Sequence, residues 1–179
     1  TADKLRGRVL QLVDGQWAPL LRGDVVPDDR VIRTLTFAHV EFTRGAETIA
    51  LGPDTQIQIH DRAGARPFTT VKQYFGSVSV DAQVENVQHF AVDTPFLAAV
   101  VKGTHFTVHS DRNGAQVDVQ RGHVEVDNKG DDTHVTIAVG QSAKVDTKET
   151  EGALEVSGSG ELPAVVGQNG KPVSAESNS

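Results

Sequence analysis

Short apolar runs, each closed by a turn signal within about eight to twelve residues, constrain this chain more than any other feature. Residues 7–13 alternate loosely between apolar and polar, and Asp14-Gly15 follows as a hairpin turn signal. Residues 16–21 lead into Arg22-Gly23-Asp24, and Pro27-Asp28-Asp29 punctuates again. Residues 31–34 and 38–42 read as two short strands; residues 48–51 and 55–59 read as two more, divided by Gly52-Pro53-Asp54. The chain holds 26 valines against one tryptophan and one tyrosine. Valine is stiff at χ1 and packs well on a pleated surface, so the runs favour strands. An all-β single domain of many short strands is expected, either a twisted β-sandwich or a stacked, solenoid-like β-coil, which this spacing fits far better than βαβ units.

The middle of the chain carries an internal echo. Val71, Gly76, Val78 and Val80 align with Val117, Gly122, Val124 and Val126 at an offset of 46. In each copy a glycine opens a strand whose inward positions are valines, as a bulge or tight reversal requires. Two copies are fewer than a solenoid array needs, so this reads as a repeated supersecondary unit. The one helix candidate, residues 95–101, lacks polar positions at helical spacing and reads as a buried strand. Residues 147–179 contain no aromatic residue and are rich in Gly, Ser, Glu and Asn. They are expected to form a flexible tail behind a domain at residues 1–146. The apolar patch at 162–166 is the exception, suited to pairing with an exposed strand edge.

Composition narrows the function classes. With no cysteine, zinc-thiolate sites, disulfides and thiol nucleophiles are removed together. No run of about 20 apolar residues is present to span a membrane as a helix. Residues 1–66 carry nine basic and nine acidic side chains, and residues 67–179 carry eight and fifteen. The resulting net charge of −7 argues against nucleic acid as a partner, because phosphate backbones must be neutralised.

Chemistry is sparse. His105 and His109 share one strand face, and His123, Glu125 and Asp127 share another. If the two strands were neighbours, imidazoles and a carboxylate could converge on a divalent metal, but alternating polar residues on a solvated face explain the pattern better. No metal or cofactor is therefore assigned, with His105, His109 and His123 as the candidates for that minority reading. Residues 158–160 lie in the expected tail, where no nucleophile can be pre-organised. Asp28-Asp29 and Asp131-Asp132 sit in solvated turns. The lone Trp17 reads as a core or edge anchor, with aromatics too scarce for a stacking platform. The chain reads as a non-enzyme.

Residues 93–108 join Thr94-Pro95, an apolar run, Lys102-Gly103-Thr104 and a strand containing Phe106 and Val108. This stretch resembles the signature of the FecR domain family. The resemblance continues through Gly122, Val124 and Val126, and through Gly140-Gln141 to Val145. Upstream, Leu20 to Asp24, then Arg33-Thr34, Gly45 to Leu51 and Phe75-Gly76 follow in the family's order, so about residues 4–146 are covered. The residues that carry it are Arg33, Thr34, Gly76, Thr94, Pro95, Gly103, Thr104, Phe106, Gly122 and Gly140. Lys102 stands where the family most often has arginine.

The resemblance implies a bacterial domain in the periplasm or at the cell surface. It would act as a signalling module that docks a regulatory or transporter-associated protein through strand edges and loops. Complete FecR-type regulators add a cytoplasmic anti-sigma segment, a transmembrane helix and often a C-terminal subdomain, none recognisable in these residues. The alternative is a free-standing secreted protein that assembles with copies of itself through strand edges.

Overall fold

A computed structural model describes residues 1–44, 47–62, 68–82, 89–101 and 104–167. Every regular element among them is a strand. No helix among them is long and apolar enough to cross a membrane. In chain order the first eight are β1 (Ala2–Arg6), β2 (Val9–Val13), β3 (Gln16–Pro19), β4 (Val31–Thr34), β5 (His39–Arg44), β6 (Glu47–Leu51), β7 (Gln56–Arg62) and β8 (Phe68–Asp81). Then come β9 (His89–Asp93), β10 (Leu97–Val101), β11 (His105–Ser110), β12 (Gly114–Arg121), β13 (Val124–Asn128), β14 (His134–Ile137), β15 (Gln141–Asp146) and β16 (Leu154–Gly158).

These strands form two layers. The first has the order β1-β5-β6-β8-β11-β12-β15-β16, and the second has the order β3-β2-β4-β7-β8-β9-β10-β13-β14. Only β8 belongs to both. Residues 68–75 pair with β7 and β9 in the second layer, and residues 76–81 pair with β6 and β11 in the first. All pairings are antiparallel except β8 with β9. Inside each layer the strands run almost in sequence order. The chain thus passes from layer to layer, mostly two strands at a time, and advances along the molecule as it does so. Layers of a sandwich and progression of a coil coexist, which accounts for the sequence admitting both descriptions.

Alternation explains the packing. Phe106 and Val108 on β11, Val117 and Val119 on β12, and Val78 and Val80 on β8 all turn inward and are buried. They meet Ile32, Ile57, Val71, Val92, Leu97, Val126 and Val135 of the other layer in one continuous core. The buried Gln73 of the second layer donates its amide to the Val108 carbonyl of the first at 3.0 Å, a direct stitch between layers.

The echoed glycines mark passages between layers. Gly76, with φ of 100°, stands inside β8 where it leaves the second layer for the first. Gly122 stands between β12 and β13, where the chain returns, and Gly140 stands where β14 gives way to β15. Val78, Val80, Val124 and Val126, the paired valines of the echo, are all fully buried. Residues 97–101 form β10, buried at alternate positions, in keeping with the strand reading of that run.

Strand pairing runs past the expected boundary at residue 146. β16 pairs along its length with β15, so residues 154–158 belong to the first layer rather than to a tail. The 162–166 patch behaves as its apolar character suggested: Val166 exchanges two backbone hydrogen bonds of 2.8 Å with His134 at the edge of β14. The rest of the expected tail, residues 168–179, lies outside the described residues.

Candidate interaction surface

Three motif threonines turn out to be internal staples. The buried Thr34 hydroxyl donates to the Gly52 carbonyl at 2.6 Å and accepts from the Thr55 N–H at 2.9 Å. The Thr94 hydroxyl donates to the Leu97 carbonyl and accepts from the N–H groups of Phe96 and Leu97, closing the turn that Pro95 enters. The Thr104 hydroxyl donates to the His123 carbonyl at 3.0 Å, tying the entry to β11 to the entry to β13. Each hydroxyl bridges backbone groups across a turn or between strands, and a buried group left unpaired would cost about 1–3 kcal/mol. Gly103 and Lys102 lie outside the described residues, as does Gly45.

Arg33 is different, because it faces outward. On the outer face of the second layer Leu10 lies opposite Arg33, and Arg33 lies opposite Gln56. Leu12 lies opposite Trp17 on the same face. The guanidinium carbon of Arg33 lies 6.0 Å from the Trp17 ring centre and 5.7 Å from that of Phe75. One cation thus lies within reach of two aromatic rings, each contact worth roughly 0.5–1 kcal/mol at an exposed site. A register shift between Gln56 and Ile57 bulges β8 at Tyr74. Its hydroxyl donates to Gln58 at 3.2 Å, which holds the ring on this face. Trp17 and Tyr74 remain 40% and 42% exposed. The solvent face of an antiparallel layer is normally polar, whereas this one carries two leucines, three aromatic rings and an arginine. Of the two readings of Trp17 from sequence, core or edge anchor, the edge is where it lies, on β3; aromatics alone are too few for a platform. The arginine supplies what they lack.

The histidines do not converge. His105 and His109 lie on β11 in the first layer, while His123 precedes β13 in the second. Among the described residues the one group of side chains close enough to share an ion is Asp28, Asp29 and His60, all exposed. Its geometry is that of a loop anchor. His60 Nδ1 lies 2.7 Å from an Asp29 oxygen, and Asp28 accepts the Asp61 N–H at 2.8 Å.

His123, Glu125 and Asp127 share a strand face by alternation, and the last two interact. Burial, followed by the charge of Glu125, pushes the Asp127 carboxyl above its usual range, with His134 opposing. A raised folded pKa means that the ionised form is disfavoured in the fold. Asp127 therefore contributes stability below the unfolded carboxylate value of about 3.9, and that contribution is lost as pH rises through the folded value. Asp127→Asn is expected to stabilise the protein at pH 7, with the gain shrinking as pH falls below about 4. Urea unfolding at both pH values checks this; a gain that grows on acidification contradicts it.

The described residues thus form a two-layer β domain with buried staples and an outward aromatic–arginine ladder. The chain belongs to the FecR family: the family model described as FecR protein matches residues 30–125. That is a family of regulatory signalling proteins whose domains act outside the cytoplasm. Among solved structures, the fold is similar to that of a putative anti-sigma factor from Parabacteroides distasonis ATCC 8503, determined at 1.65 Å and at 2.50 Å resolution. Each comparison gives a TM-score of 0.61 at 18% identity, covering 72% of this chain and 59% of the other. The chain thus spans less than two thirds of the length of those relatives. No curated protein matches it.

Proposed function

We propose that this chain is an extracytoplasmic module that passes on a signal by docking a protein of a transporter-linked, anti-sigma type regulatory system. The observation that carries the reading is the outward ladder of Trp17, Arg33, Phe75 and Tyr74. Tryptophan, tyrosine and arginine are enriched in binding hot spots, the two aromatics because they bury large areas with few rotamers to freeze. Held on β3, β4 and β8 rather than on loops, they are ordered before the partner arrives. No bond chemistry is involved; the module works by occupancy. Trp17→Ala and Arg33→Ala are each expected to weaken partner binding by about tenfold or more. In the producing bacterium this reads as lost induction of the regulated transcripts at unchanged protein abundance. Full induction with both residues replaced would sink the reading.

A further inference from the structure

The four edges of the two layers are not equivalent. The edge of β1 is covered: the Ala2 N–H donates to Asp24 at 2.9 Å and the Gly23 N–H donates to Ala2 at 2.8 Å. The edge of β14 is met at His134 by Val166, which leaves only Thr136 of that four-residue strand bonding outward. The edge strand β3 has four residues and ends at Pro19, which has no N–H to offer. β16 is the exception. Its one strand neighbour is β15, and among the described residues no hydrogen bond reaches its outer side. It carries one outward charge, Glu155, but no lysine, proline or inward charge to guard the edge.

The alternation of ladder bonds shows what that edge presents. Thr147 N–H donates to Asn113 beside β12, so odd-numbered residues of β15 bond toward β12 and even-numbered ones toward β16. Ser159 N–H donates to Gly140 in the same ladder, so odd-numbered residues of β16 face β15. Leu154, Val156 and Gly158 must therefore aim their N–H and C=O groups outward.

We infer that β16 is a self-pairing edge, joined by antiparallel addition of β16 from a second copy of this chain about a two-fold axis at Val156. The strand is complementary to itself in that register. Val156 meets its own copy, and Leu154 meets Gly158, so the three outward-bonding residues face one another and about six backbone hydrogen bonds form. Glu155 falls opposite Ser157, which keeps the two carboxylates from facing each other. Val156 packs half-buried against the core, so its pairing makes the two cores continuous. This inference is independent of the ladder on the second layer.

The chain has no cysteine, which makes the register directly testable. Directly opposed, hydrogen-bonded residues lie about 5.5 Å apart at Cα, within disulfide reach. Val156→Cys in the full chain is expected to give a disulfide-linked dimer on mild oxidation. Lys144→Cys, one strand inward, is expected to give none. In sedimentation equilibrium the unmodified protein should move from 19.1 kDa toward twice that mass as concentration rises. Val156→Pro should stay at the monomer mass, because it removes an outward N–H while sparing the ladder to β15. Circular dichroism verifies that it folds. A monomer at every concentration with no disulfide overturns the inference. So does a dimer that survives Val156→Pro, or a cysteine at 156 that links to a different protein in cells while the purified chain stays monomeric. Val156→Pro leaves Trp17 and Arg33 in place, so loss of the dimer with normal induction separates this inference from the regulatory reading.

Discussion

Gly76→Ala is expected to destabilise the protein by about 2–6 kcal/mol, the sum of two costs. The first is conformational: at φ of 100° an L side chain is strained, which costs about 1–3 kcal/mol. The second is steric. A Cβ at position 76 would lie closer than 3.0 Å to three atoms of Thr55, one of them backbone. Thr55 cannot retreat, because it is tied on both sides. Its N–H donates to Thr34, and its hydroxyl accepts the Ser77 N–H at 2.9 Å. Forced overlap of this kind costs about a further 1–3 kcal/mol. Gly15→Ala separates the two, since Gly15 has φ of 78° and open space around its missing Cβ. It is expected to cost about 1–2 kcal/mol. Urea unfolding of both variants is the measurement. Equal losses would show that the crossing of β8 between layers does not depend on close approach to Thr55.

That crossing also shows how much of the fold could be read in advance. The echo of Gly76 and Gly122 was visible as a spacing, and the valines beside each glycine were legible as inward positions. What the glycines do was not legible, because passage between layers is defined by partners far along the chain. The same holds for the motif threonines. Thr34 reaches Gly52 and Thr104 reaches His123, and no local pattern encodes a hydroxyl bond across 18 or 19 residues. The polar, aromatic-free composition of residues 147–179 suggests a tail, yet within it Leu154 and Val156 alternate between Gly152 and Gly158. That alternation was the signal, outweighed by the polar composition around it. The outward ladder was hidden for a different reason. Trp17, Arg33 and Phe75 come from three strands, and only the order β3-β2-β4-β7-β8 brings them to one face. The hint was a single arginine inside the apolar run of β4.

Phe106→Ala is expected to cost about 3–5 kcal/mol, the usual range for emptying a phenylalanine site in a core. Phe106 sits on β11 opposite Val80 of β8 and Val119 of β12, turned inward and fully buried. The surrounding core is built mainly of valine, whose short, branched side chain cannot reach far across the roughly 10 Å between packed layers. Phe106 and Phe90 head the largest fully buried side chains, so they fill space that valines leave open. The neighbours of Phe106 are held by ladder bonds on both sides, which limits collapse into the void and places the loss toward the upper end of the range. For a domain whose total stability is about 5–15 kcal/mol, such a loss leaves little in reserve. Phe106→Leu keeps much of the apolar volume and should lose less than half as much. A fall in the urea midpoint with an unchanged slope is the expected signature for both. If alanine at 106 costs less than about 1 kcal/mol, the two layers are not closely packed around this ring, and the continuous core between them is wrong.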